Sequence, residues 1–113
     1  MVIEWLQFKV NPDVRERFVQ QDAEIWTPFL AQYHGFLGKQ VWINPETLDE
    51  IVLVMHWATM EDWKAVPSDR LEETETTFRA AMGDTYKLVE SKGYQVRRYF
   101  QPPVGDELTM IRR

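Results

Sequence analysis

Residues 2–10 mix apolar Val2, Leu6, Phe8 and Val10 with polar Glu4, Gln7 and Lys9, a pattern that predicts a strand. Asn11-Pro12-Asp13 ends it, and Asp13 can cap a helix in which Val14, Phe18, Ile25, Phe29 and Tyr33 recur at steps of four and seven. Pro28 falls inside that helix, where it removes a backbone hydrogen bond and presses on the preceding turn, so a kink is expected after about Glu24. Gly35 and Gly38 bracket the exit into a second strand, Phe36 to Asn44. The turn-rich tract 44–50 leads into the most apolar stretch, Ile51 to Trp57, and these two strands are expected to pair as an antiparallel hairpin. A short helical piece with Met60, Trp63 and Lys64 stops near Pro67. Ser68-Asp69 is then placed to cap a longer helix with Leu71, Thr74, Phe78 and Met82 inward and Gly83 as its C-terminal cap. One strand, or two short ones, is expected in Tyr86 to Val89 and Tyr94 to Phe100.

Strand, helix, two strands, helix, strand is the split order of the ferredoxin-like α+β fold, an antiparallel sheet with its helices on one face. Residues 1–100 are expected to form this domain, with a tail over Gln101 to Arg113 opened by Pro102-Pro103. In Ile51-Val52-Leu53-Val54-Met55 both faces of the strand are apolar, so the helix-free face also needs a cover. A second copy of the chain is the simplest one, which predicts a homodimer through that face.

Composition narrows the function. The chain has 113 residues, enough for one ordinary domain. It has no cysteine, which removes disulfides, thiolate nucleophiles and thiolate-bound metals. A net charge of -5 disfavours nonspecific binding to nucleic acid, which depends on surplus cations. No apolar run approaches the ~20 residues of a membrane-spanning helix, and the start Met1-Val2-Ile3-Glu4-Trp5 lacks the pattern of a signal peptide, so a cytoplasmic protein is expected. Five Trp, six Phe and four Tyr imply a large apolar core, a ligand cavity or an adhesive interface.

On a helical wheel at ~100° per residue, Asp22 lies in the middle of the apolar arc, between Phe18, Ile25 and Phe29 on one side and Val19, Trp26 and Leu30 on the other. A carboxylate aimed at a core either keeps its proton or finds a donor, such as Arg15, a Trp N–H or a Tyr O–H. Two roles stand open: a general base or orienting acid at the bottom of a cavity between helix and sheet, and a structural hydrogen-bond anchor. Trp26, Trp42, Trp57 and Trp63 offer flat aromatic walls suited to a planar ligand, though tryptophans also simply fill cores. His56, at the end of the third strand, is a candidate acid or base near neutral pH or a neutral histidine at the dimer seam. Two histidines with no completing cluster do not make a metal site, and no phosphate loop, dinucleotide fingerprint or Ser/His/Asp spacing occurs.

Gly35-Phe36-Leu37-Gly38 after the first helix, and the passage His56-Trp57-Ala58-Thr59-Met60-Glu61-Asp62-Trp63 into the second, resemble the dimeric α+β barrel superfamily. Within it the likeness is to antibiotic-biosynthesis monooxygenases. Asp22 to Thr27, with Gly35 to Lys39 and Val41-Trp42, is similar to a small branch with no established reaction. The resemblance implies a pair of sheets closing into a barrel and, as one function, a small cofactor-independent oxygenase acting on a planar aromatic substrate that itself activates oxygen. In that reading Asp22 and His56 take the proton, while Tyr33 and the tryptophans Trp26, Trp42, Trp57 and Trp63 hold the ring. The haem-binding relatives have an asparagine on the first strand and a histidine in the second helix; here the strand has Gln7 and no histidine follows His56, so no cofactor is expected. The alternative is a noncatalytic dimeric module that binds a small ligand or another protein.

Overall fold

A computed structural model of the chain describes residues 1–103. Strand β1 (Val2–Val10) leads through a 3-10 turn at Pro12–Val14 into α1 (Arg15–Gln21), a π-helical segment (Asp22–Trp26) and α2 (Thr27–Ala31). β2 (Phe36–Ile43) and β3 (Glu50–Trp57) follow, then α3 (Met60–Lys64), α4 (Ser68–Met82) and β4 (Tyr86–Gln95). The sheet order is β2-β3-β1-β4 with every neighbouring pair antiparallel, which is the expected ferredoxin-like α+β arrangement.

Alternation sorts the sheet into two faces. Ile51, Leu53, Met55 and Trp57 of β3 join Phe18 and Leu30 of the first helical run and Phe78 and Met82 of α4 in one core. Part of it is an aromatic cluster. Phe18 meets Phe78 edge-on at 5.2 Å, Phe8 at 5.3 Å and Tyr86 at 5.7 Å between ring centroids. The other face carries Trp5 and Gln7 beside Val54 and Val52, with Gln40 and Trp42 on the far side of β3.

The disturbance expected at Pro28 takes the form of the π segment, which begins earlier, at Asp22. Proline has no N–H to return to the carbonyl four residues back, and the Thr27 N–H instead reaches the Asp22 carbonyl, five back. The C-terminal strands also differ from expectation. A single strand runs from Tyr86 to Gln95, because a bulge opposite Gln7 and Phe8 absorbs one residue and keeps the pairing continuous. Residues 96–100 are not strand, and of the expected tail only 101–103 are among the described residues. At α4 the N-cap is Pro67 rather than Ser68-Asp69, and Leu71 lies at the partly exposed edge.

The turn into β2 depends on Gly35. Its φ is +85°, its carbonyl accepts the Ala58 N–H at 2.7 Å, and an added Cβ would run into the Asp62 side chain. Asp62 is itself fixed, since Thr59 caps α3 by accepting the Asp62 N–H and donating its hydroxyl to the carboxylate. Gly35→Ala is therefore expected to cost about 2 kcal/mol or more, measured by urea unfolding; a loss under about 0.5 kcal/mol would show that the turn relaxes freely.

Candidate functional site

On the helix side of the sheet the register sets Lys39 of β2, Met55 of β3, Glu4 of β1 and Gly93 of β4 in one row. Two of the four are charged and face an apolar layer. Asp22, the first residue of the π segment, accepts from Lys39 Nζ at 2.7 Å through Oδ1. The pair is buried, with side chains 1% and 5% exposed for Asp22 and Lys39. Asp22 Oδ2 has no hydrogen-bond partner among the described residues. Glu4 Oε1 accepts from the Trp57 indole N–H at 3.1 Å.

These groups stand in the wall of a cavity of about 250 Å³ between the helices and the sheet. Its other walls are mostly apolar, among them Phe18, Trp26, Leu53, Trp57, Trp63 and Phe78. Trp63 can lie close over the sheet because residue 93 is glycine: a Cβ there would be 3.1 Å from the indole ring. At the rim Lys64 Nζ sits 4.3 Å above the Trp63 ring, and Glu75 accepts the Tyr86 hydroxyl at 2.7 Å.

Burial opposes charge throughout this site. It pushes the Asp22 carboxyl above the usual range, and the Lys39 ammonium pulls only part of the way back. It pushes Lys39 below the usual lysine range against the pull of Asp22 and, more weakly, Glu4. Glu4 is raised by the same cause, with the Trp57 N–H, Lys64 and Lys39 in opposition. The result is a desolvated acid and amine in contact, each poised nearer its neutral form than in water.

The family model for antibiotic biosynthesis monooxygenases matches residues 1–68, a span that holds Glu4, Asp22, Lys39, Trp57 and Trp63. The chain belongs to that family. The sequence resemblance drawn from the Gly35 and His56–Trp63 segments is thereby borne out. Solved structures agree on the fold. SnoaB, a cofactor-independent oxygenase from Streptomyces nogalater, superposes with a TM-score of 0.68 at 17% identity over 89% of this chain and 97% of its own. A monooxygenase from Streptomyces coelicolor, in complex with the ligand nanaomycin D, gives 0.69 at 13% identity over 90% and 92%. A conserved protein from Methanosarcina mazei gives 0.61 at 14% over 83% and 90%. Among curated proteins none matches the chain at a significant level.

Within this monooxygenase-family fold the residues singled out from sequence separate into two groups. Asp22, Trp26, Trp57 and Trp63 line the cavity. His56, Trp42 and Tyr33 do not. His56 alternates with Met55 and Trp57, so it falls on the helix-free face between Ile3 and Gly38. Trp42 is on that face too, half-exposed, donating its indole N–H to Gln40 at 3.1 Å. Tyr33 packs on Phe29 and borders a separate groove between α2 and α4. Arg15, a Trp N–H and a Tyr O–H were the donors anticipated for Asp22; the donor is Lys39. Lys39 and Glu4 were missed as site residues, although the signal existed. Glu4 is in phase with Val2, Leu6, Phe8 and Val10, and Lys39 with Val41 and Ile43, so period-2 alternation already turns both toward the apolar layer. Among the described residues no three His, Cys, Asp or Glu side chains gather as a metal site, and no helix is long and apolar enough to cross a membrane.

Proposed function

We propose that the chain is a monooxygenase that works without a cofactor on a small planar aromatic hydroxyl compound held in the cavity between the first helical run and the sheet. The observation that carries this reading is the buried carboxylate of Asp22, one oxygen held by Lys39 and the other without a partner among the described residues, in the wall of an apolar, tryptophan-lined space. A volume of about 250 Å³ lies just under the ~300–1,000 Å³ of drug-sized ligand sites, which favours one or two fused rings. Asp22 takes the hydroxyl proton, and Lys39 neutralises the oxyanion that forms. Trp26, Trp57 and Trp63 hold the ring and keep water out. The electron-rich anion reduces dioxygen directly, one oxygen atom entering the ring and the other leaving as water, so that a naphthol becomes a naphthoquinone with no external reductant. The oxygenases among the structural neighbours support the same chemistry.

Asp22→Asn tests this. With 1-naphthol in an oxygen-electrode assay the variant is expected to lose about 10²–10⁴-fold in turnover while keeping its circular dichroism and melting profile. Turnover equal to wild type would remove Asp22 from the reaction, and a variant that fails to fold would support the structural anchor.

The chain is also proposed to act as a homodimer through the helix-free face. Val52 and Val54 run along the middle of that face, with Trp5 and Ile3 beside them and half-exposed Trp42 and Tyr94 toward the edges. Val52 and Val54 are already buried in the single chain, so a second copy covers the partly exposed Ile3, Trp5, Trp42 and Tyr94 around them, closing two sheets into a barrel. Trp42→Glu is expected to convert a dimer to a monomer in native mass spectrometry without loss of fold, since position 42 is half-exposed in the single chain; an unchanged dimer would move the interface elsewhere.

A further inference from the structure

Five lysines occur in the chain, and four of them are ordinary surface groups. Lys64 and Lys87 are exposed, and the side chains of Lys9 and Lys92 are 62% and 42% exposed. Lys39 is the exception: both it and Lys64 line the cavity, but Lys64 is exposed at the rim whereas the Lys39 side chain is 5% exposed. Its ammonium has one hydrogen-bond partner among the described residues, Asp22 Oδ1. An ion pair removed from water gains little over apolar residues of the same volume, so packing alone gives no reason for an amine at this place.

We infer that Lys39 is a carbonyl-reactive amine, forming an imine with an aromatic aldehyde or aryl ketone bound in the cavity, with Asp22 as the acid and base that carries the proton. This uses the same cavity as the oxygen chemistry but does not depend on it, and it stands if the chain consumes no dioxygen. Three features support it. Desolvation favours the neutral amine, the nucleophilic form, which lysines in water barely populate at neutral pH. Asp22, 2.7 Å away, is pushed by the same burial toward its protonated form, so one proton passes easily between the two. The apolar aromatic walls hold an aryl carbonyl and exclude the water that would hydrolyse the product.

The step balances without another reagent. The Lys39 nitrogen lone pair forms a bond to the carbonyl carbon, and the carbonyl π electrons take a proton from Asp22 to give a carbinolamine. The nitrogen returns a proton to Asp22. Asp22 then protonates the hydroxyl, which leaves as water while the nitrogen lone pair forms the C=N bond, and the remaining N–H proton of the iminium returns to Asp22. The sum is aldehyde plus amine giving imine plus water.

Trapping tests it with the whole chain. The protein is incubated with benzaldehyde and sodium cyanoborohydride at neutral pH, then digested and mapped by mass spectrometry. Lys39 is expected to gain one benzyl group about tenfold or more faster than any other lysine, since the cavity holds the aldehyde beside its amine and so raises the local concentration there. Its rate is expected to saturate with benzaldehyde concentration, as it does when the aldehyde first occupies a site. Lys39→Arg keeps a cation beside Asp22, forms no imine, and is expected to lose this label alone. Benzyl groups spread over Lys9, Lys64, Lys87, Lys92 and the amino terminus, with Lys39 clean, would overturn the inference. So would a Lys39 rate that rises linearly with aldehyde and matches the surface lysines. The wild-type map decides the matter even if the variant does not fold.

Discussion

Lys39→Met is expected to destabilise the chain by about 3–5 kcal/mol at neutral pH, because it leaves Asp22 as an unpaired charge in an apolar layer. For a domain of this size that is a fall of about 12–20 °C in melting temperature. Replacing both partners, Asp22→Leu with Lys39→Met, is expected to recover most of the loss, since no charge is then buried. The acid dependence gives a second check. In Lys39→Met the folded Asp22 pKa is raised above its unfolded value by burial, with no cation left to oppose it. A raised carboxyl contributes stability that is fully present below the unfolded value, near ~3.9, and is lost as pH rises through the folded value. The variant should therefore approach wild type in mild acid and fall furthest behind at neutral pH and above. A Lys39→Met chain within about 1 kcal/mol of wild type at neutral pH would show that Asp22 is already protonated there and that the pair is not ionic.

Trp57→Ala is expected to cost about 3–5 kcal/mol in urea unfolding. The indole is fully buried, meets Phe36 edge-on at 5.3 Å, and supplies the N–H that Glu4 accepts. Trp57→Phe separates these contributions. It keeps most of the ring volume but removes the donor, so it should cost about 1–3 kcal/mol and raise the Glu4 pKa further, because the bond to Trp57 is the largest effect now holding that pKa down. Equal losses for the two variants would show that packing contributes little beyond the hydrogen bond.

The fold was legible because its signals are local and periodic. Val14, Phe18, Ile25 and Phe29 marked the first helical run, and the apolar run Ile51 to Trp57 marked the central strand. The two-faced apolarity of that strand also pointed to the helix-free face that Val52 and Val54 occupy. What was harder to read depends on pairing across the sheet. Continuity of β4 through Ser91-Lys92-Gly93 rests on its partner β1 and a bulge, which composition does not announce. Asp22 was visible on the wheel, but its partner lies 17 residues away on another element, and nothing local links the two. His56 and Trp42 went to the opposite face for a simple reason: residue type suggested chemistry, whereas strand parity decided direction.

The five tryptophans are distributed so that the molecule carries its own optical probes. Trp26, Trp57 and Trp63 border the cavity, while Trp5 and Trp42 lie on the opposite sheet face. A quinone or aldehyde entering the cavity would quench emission from the first three, and a dissolved ion such as iodide would reach half-exposed Trp42 long before fully buried Trp57. Filling the interior and covering the outer sheet thus alter separate parts of one fluorescence signal, so occupancy and self-association can be followed together in unlabelled protein.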